Sequence, residues 1–201
     1  MLLKIFNGVM TVLAWVHRKP RVEMHRVHDV LVSVINTRPD IATRTVLERF
    51  AEAIDLIARY QPARFAHLQR DVQLFVIRRE AHRGHFEHRN RIVMTELTFL
   101  ARRDINAAVV ASSILHEGVH ARIYAFASRV AATQLGREER ICRKAELRFG
   151  EALPPELGAP VIARASELLA LDDDDLWVAS DPAARYAAVQ RADREAAEEA
   201  S

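Results

Sequence analysis

Apolar positions along the chain follow two different periods. In RPDIATRTVLERFAEAIDLIARY (38–60), Leu47, Phe50, Ile54 and Ile57 recur at three- and four-residue steps, which is one stripe of a helix. Pro39 suits its first turn and Pro62 lies just beyond its end. The preceding VEMHRVHDVLVSVI (22–35) also reads as a helix. DVQLFVIRRE (71–80) and RIVMTELTFL (91–100) are β-branched and aromatic, and each predicts a strand. The connector AHRGHFEHRN is polar and holds Gly84 and Asn90, so the two strands are expected to pair as a hairpin with a long loop. Asp104 is the expected N-cap of INAAVVASSILHEGVHARIYAF, where Val109, Ile114, Val119 and Ile123 in an alanine-rich frame predict a helix buried on much of its surface. After Gly136, helices are expected at 137–153, ending near Gly150 and Pro154-Pro155, and at 160–171.

Helices, a small sheet, a further helix and more helices make an α+β fold, mainly helical, with an antiparallel sheet (hairpin about 71–99) beside the helix of 105–126. Three parts are expected: an apolar N-terminal segment (1–20), one domain (21–180) and a helical tail rich in Ala and Glu (181–201). No internal repeat is visible. Asp172 to Asp175 read as a solvated turn or helix cap, because a calcium loop needs interleaved ligands and a glycine at its sharp turn. IFNGVMTVLAWV (5–16) is too short to span a bilayer, and no small-x-small cleavage site follows it. Its two readings are a core helix and an interfacial anchor that brings the protein to a membrane.

Composition narrows the function classes. Lys and Arg number 29 against 27 Asp and Glu, and the charges are dispersed, with no basic tract. A nucleic-acid partner is therefore not expected. Aromatics are 6%, so the core must rest on Ala, Val, Leu and Ile. Cys142 is the one cysteine, which rules out an intrachain disulfide and fits a reducing compartment. The expected location is cytoplasmic, with membrane association through residues 5–16 as its variant.

His116-Glu117-Gly118-Val119-His120 is the one motif that carries chemistry. On a helix, positions i and i+4 share a face with Cβ atoms about 6 Å apart, so both imidazoles can converge on one zinc ion. Glu117 is turned about 100° from His116 and need not be a ligand; it can take a proton from water at the metal. Buried without partners, two imidazoles on an apolar helix would be costly, which favours a metal site over two polar core residues. His82, His85 and His88 recur in the loop between the strands, as a second metal site or as a solvated histidine-rich loop. His25 and His28 read as surface or cap residues. Cys142 reads as a small buried hydrophobe that becomes a ligand if its helix faces the zinc.

The strand RIVMTELTFL, the helix with HEGVHARI and the helix REERICRKAELRFGEALP resemble the thermolysin-type zincins whose third ligand is a glutamate, the gluzincins. The chain is most similar to small bacterial members, and the resemblance covers about residues 70–155. It implies a minimal zincin fold, a Zn2+ cofactor, and a strand edge beside the metal helix that receives an extended peptide; RIVMTELTFL is the candidate edge. It also implies a glutamate ligand. Glu139, in the E-x-x-C pattern with Cys142, is the favoured one, with Glu146 then orienting a ligand; Glu146 is the alternative. The two lie seven residues apart and share a helix face. A histidine helix running unbroken to Leu135 favours Glu146, whereas a break near Ser128 brings Glu139 within reach. HExxHxxGxxH is absent. Tyr124 and Arg143 are candidates to stabilise a transition state, with structural roles as the alternative. The resulting expectation is a zinc-dependent hydrolase of peptide or amide bonds acting on a peptide or protein, with Glu117 as general base. A metal-binding regulatory or sensor protein without catalysis is the alternative, and a helical interaction module without metal is a third. Glu117 favours the enzyme, since holding a metal does not require it.

Overall fold

The computed structural model describes residues 22–126, 135–173 and 175–176. The apolar segment 5–16, the Ser128 break and the tail 181–201 lie outside the described residues.

Residues 22–35 are a β-hairpin, not a helix: β1 (Val22–Val27) and β2 (Val30–Ile35) pair antiparallel with Val27 opposite Val30. His28 and Asp29 form the two-residue turn, both at positive φ (45° and 64°), the geometry whose twist matches that of the flanking strands. Val30, Val32 and Val34 all point into the core, so the period of this segment is two. His25 lies in β1, and His28 reaches Asp55 at 2.6 Å.

Helices α1 (Thr43–Tyr60) and α2 (Pro62–Asp71) carry the chain across to β3 (Leu74–Arg78), which lies parallel to β2. Phe50, Ile54 and Ile57 of α1 are fully buried, as their spacing predicts, and Phe50 meets Phe75 edge-on at 5.3 Å. The expected hairpin of 71–80 with 91–100 is not formed. The polar connector is itself a strand, β4 (Gly84–Glu87), antiparallel to β5 (Ile92–Glu96). β5 inserts between β4 and β3 and runs parallel to β3, giving a five-stranded mixed sheet in the order β1-β2-β3-β5-β4. The reason is burial. IVMTE is apolar on both faces and suits an interior strand, whereas GHFE is half polar and suits an edge. The edge beside the histidine helix is therefore β4, not RIVMTELTFL.

That second strand also stops early. Glu96 caps a short helix α3 (Leu97–Ala101), accepting the Phe99 N–H at 2.6 Å, and is paired with Arg79 at 2.6 Å. Asp104 does not cap the next helix, because Arg102 holds its carboxyl, down to about 2. Asn106 does so instead, its Oδ1 accepting the Val109 N–H at 3.1 Å.

Helix α4 (Ala107–Phe126) is the axis of the molecule, packed against α1, α2 and β4, and against α5 (Leu135–Ala152) and α6 (Pro155–Leu169). It is buried along most of its length, as expected. Gly118 permits the closest approach: a Cβ there would lie 2.2 Å from Cδ2 of Leu68 on α2. One sheet face joins this helical core through Phe75, Ile77 and Val93, and the other gathers Leu74, Val76 and Ile92 with Met24 and Leu31. The fold is α+β, with six helices and one mixed sheet among the described residues. At the chain's far end, Asp172 accepts the Asp175 N–H at 2.8 Å and Asp173 pairs with Arg140, as in a capped turn. No helix among the described residues is long and apolar enough to cross a membrane.

Candidate metal centre

His116 and His120 stand one turn apart on α4 with ring centroids 4.8 Å apart and Nε2 atoms 3.1 Å apart. Helix α5 faces them with three glutamates. The Glu146 carboxylate lies 2.6 Å from Nδ1 of His116, and that of Glu138 lies 2.6 Å from Nδ1 of His120. Each Nδ1 is thereby placed to donate; in the neutral ring, the form a metal binds, this turns the Nε2 lone pair inward. The Glu139 carboxylate meets those same Nε2 atoms, at 3.4 Å from His116 and 3.1 Å from His120. Four electron-rich atoms so close together repel unless a proton or a cation lies among them. Helical geometry explains the arrangement: Glu139 and Glu146 are two turns apart on α5, so Glu146 meets His116 alone while Glu139 reaches between the two rings.

The surroundings hold these carboxylates in place. Ser112, one turn before His116, donates to Glu146 at 3.0 Å, and Arg143 donates to Glu146 at 2.6 Å while lying 3.7 Å from Glu139. Burial works against ionisation of Glu139 and Glu146. The imidazoles outweigh it and hold both below the usual carboxylate range, helped for Glu146 by Arg143 and Ser112. Burial likewise opposes the charged imidazoles. The Cys142 sulfur and the glutamates outweigh it, pushing His116 up to about 10 and His120 well above its ordinary value. Cys142 is fully buried on the face of α5 turned to the histidines, and its sulfur and their donor nitrogens lie within 4.8 Å of one another.

A cleft of about 230 Å³ opens over this cluster. Its floor is α4 and α5; its walls are the chain from His82 to His88 and one face of α6. Glu117 lines it and is buried, and none of the hydrogen bonds or ion pairs among the described residues engages its carboxylate. Gly84 of β4 lies against it: a Cβ at Gly84 would come within 2.8 Å of the Glu117 Oε1.

The residues singled out from the sequence are therefore partly gathered and partly dispersed. His116, Glu117, His120, Glu139, Glu146 and Arg143 meet in one cleft. Arg143 spends its guanidinium on Glu146 and Glu139. Tyr124 does not line the cleft; it packs on Phe86 at 6.1 Å and His88 at 5.2 Å, behind the wall. His82, His85 and His88 line the same cleft, but among the described residues they form no metal-binding cluster. Ser112, Glu138, Arg83 and Arg164 belong to the cleft and were passed over in the sequence. Ser112 and Glu138 were readable there, four residues before His116 and next to Glu139. Nothing local marks Arg83 or Arg164.

Compared with protein-family models, with curated proteins and with solved structures, the chain matches none.

Proposed function

We propose that the chain is a zinc-dependent hydrolase of peptide or amide bonds, related in its working parts to the gluzincins. The observation that carries this reading is the convergence of both Nε2 atoms and the Glu139 carboxylate beside an unengaged Glu117. The donor set fits zinc: two neutral imidazoles and one carboxylate leave a fourth position open, as in catalytic sites. His116, His120 and Glu139 would hold the ion. Glu146 and Glu138 orient the two rings and fix their tautomers. Bound there, zinc supplies a Lewis acid and lowers the pKa of water to about 7. Glu117 accepts a proton from the attacking water at its carboxylate and returns it to the leaving amine. Arg143 balances the charge of the glutamates. The strand β4, beside Glu117, is an edge of the sheet among the described residues and offers that edge to an extended substrate.

Cys142 favours a second reading. A thiolate added to the two imidazoles and Glu139 would close the site, as suits a metal sensor or regulatory protein without catalysis. Metal analysis of protein purified without chelator and after zinc reconstitution tests the common ground; about one zinc per chain is expected, and none would remove both readings in favour of a metal-free helical module. Cobalt substitution separates the two. A sulfur-to-metal charge-transfer band points to the closed site, and its absence, together with cleavage of a peptide library, points to the hydrolase.

A further inference from the structure

The outer face of the sheet is apolar and closed at its centre, yet no described helix joins it. Leu74, Val76 and Ile92 form that centre, with Met24, Leu31 and Met94 packed around them, and every one of these stands on a strand. The helices gather on the other face, with Phe75, Ile77 and Val93. A sheet face that no second layer covers stays open to water. Here Val76 is 0% exposed and Leu74 1%. Ser33 shares this face, paired with Met24 on one side and Val76 on the other. It too is 0% exposed, and its hydroxyl finds no partner among the described residues. Water over the face would satisfy that hydroxyl, whereas an apolar cover leaves it unpaired.

The place where the chain leaves the described structure narrows the choice of cover. Residues 127–134 join α4 to α5, within the helical layer. The chain beyond Leu176 leaves beside α5, where Asp173 pairs with Arg140, and it is rich in Ala and Glu. Residues 1–21 leave from the sheet itself, at Val22, which opens β1 and packs on the outer apolar cluster. Within them, residues 5–16 carry no charge. The linker 17–21 spans about 17 Å when extended. The distance from β1 across β2 and β3 to β5 is three strand spacings, about 14 Å, so the linker can set the segment anywhere over the cluster.

We propose that residues 5–16 are this cover, an apolar segment of the same chain docked across Leu74, Val76 and Met94. The proposal is independent of the metal centre. It makes the segment part of the fold rather than a membrane anchor. It also accounts for β3 and β5 being apolar on both faces, the pattern of strands covered on both sides.

Trp15 lies in the segment, and the second tryptophan is Trp177. In full-length Trp177→Phe, Trp15 is the sole reporter. In buffer without lipid its emission should be blue-shifted and its quenching by acrylamide several-fold weaker than in urea, unchanged on dilution. Trp15 as open in buffer as in urea overturns the proposal. So does protection that appears only with vesicles of phosphatidylcholine and phosphatidylglycerol, which makes the segment an anchor, or protection lost on dilution, which gives the face to a second copy. Leu31→Asn and Met94→Asn then place a polar group on the face. In either variant that keeps its far-ultraviolet dichroism, quenching of Trp15 should rise several-fold; Leu31→Ala and Met94→Ala serve if neither folds. Protection that persists in every folded variant puts the segment elsewhere and overturns the proposal. Leu47→Asn, in the helical layer, should leave Trp15 protected, and an equal rise there would overturn the assignment to this face.

Discussion

Glu146 holds His116 from behind: its carboxylate oxygen lies 2.6 Å from Nδ1, the ring nitrogen turned away from His120. Glu139 stands on the opposite side of the same ring, 3.4 Å from Nε2. Two glutamates two turns apart thus address the two nitrogens of one imidazole, and their removal should have different consequences. Glu139→Ala deletes a donor at the point of convergence. Glu146→Ala deletes the partner that fixes the tautomer, for which losses of about 10- to 100-fold in metal affinity are typical. Zinc affinity at fixed pH is expected to fall further in Glu139→Ala. The reverse order would make Glu146 the ligand, and near-wild-type affinity in both would remove glutamate ligation altogether.

Glu117→Gln should separate holding a metal from using it. The amide keeps the shape but accepts no proton, so zinc content should match the wild type while hydrolysis falls by about 10²-fold or more. His116→Ala and His120→Ala should lose the zinc itself. Undiminished cleavage by Glu117→Gln would assign the base elsewhere.

Gly84→Ala tests how Glu117 is placed. The new methyl group would meet Glu117 at both its tip and its stem, 2.8 Å from Oε1 and 2.9 Å from Cγ, and Ser113 Oγ at 3.1 Å. The whole side chain must turn from Cβ, so the melting temperature should fall slightly. The carboxylate should swing from its place, so turnover should fall with zinc content intact. A fall in zinc content or in melting temperature in step with activity would mean that the wall, not the base, had moved.

Gly118→Ala acts through packing. Its methyl group would lie 2.2 Å from Leu68 Cδ2 with both positions buried, and overpacking of this kind costs about 1–3 kcal/mol. Adding Leu68→Ala makes room. The double variant should therefore be less destabilised than the two single effects summed, in urea unfolding. Strict additivity would show that the two residues do not meet.

Asp71 gives a pH dependence away from the metal. Burial pushes its carboxyl up, but Arg70 and Arg122 outweigh burial and hold it below the usual carboxylate range. A depressed carboxylate stabilises the fold above its unfolded pKa, and that contribution is lost as pH falls through the folded one. Wild-type stability should drop below about pH 4, and Asp71→Asn should flatten that part of the curve. At neutral pH the substitution should cost about 1 kcal/mol, a modest figure because both arginines are partly exposed.

How far the sequence could be read depended on whether the deciding forces were local. Helix α4 was legible because its apolar residues, its motif and its length agree. The shared face of Glu139 and Glu146 was legible because seven residues is nearly two whole turns. The hairpin at 22–35 was not: Met24, Val27, Leu31 and Val34 also fit a helical stripe, and the choice falls to a turn at His28 and Asp29 whose positive φ no residue there demands. The place of β5 was illegible for a different reason. Local pattern marks a strand but not its neighbours, and pairing with β3 or β4 is decided by which strand must be buried on both faces. Tyr124 shares the face expected from its spacing with His120, yet Phe86 and His88 take it into the wall behind the cleft.

The insertion of β5 sets an order of assembly. A chain made from its N-terminus completes β1, β2 and β3 while one long edge of β3, bearing Phe75, Val76 and Ile77, has nothing beside it. That edge is apolar on both faces, the kind to which another copy can add a strand. It closes only when residues 84–96 return as a local hairpin and pair on the β5 side, which also sets Gly84 where Glu117, later in the chain, packs against it. The step that shields the nascent chain from self-association is thus also the step that walls the cleft, so slow-folding variants of β5 should aggregate and lack the cleft together.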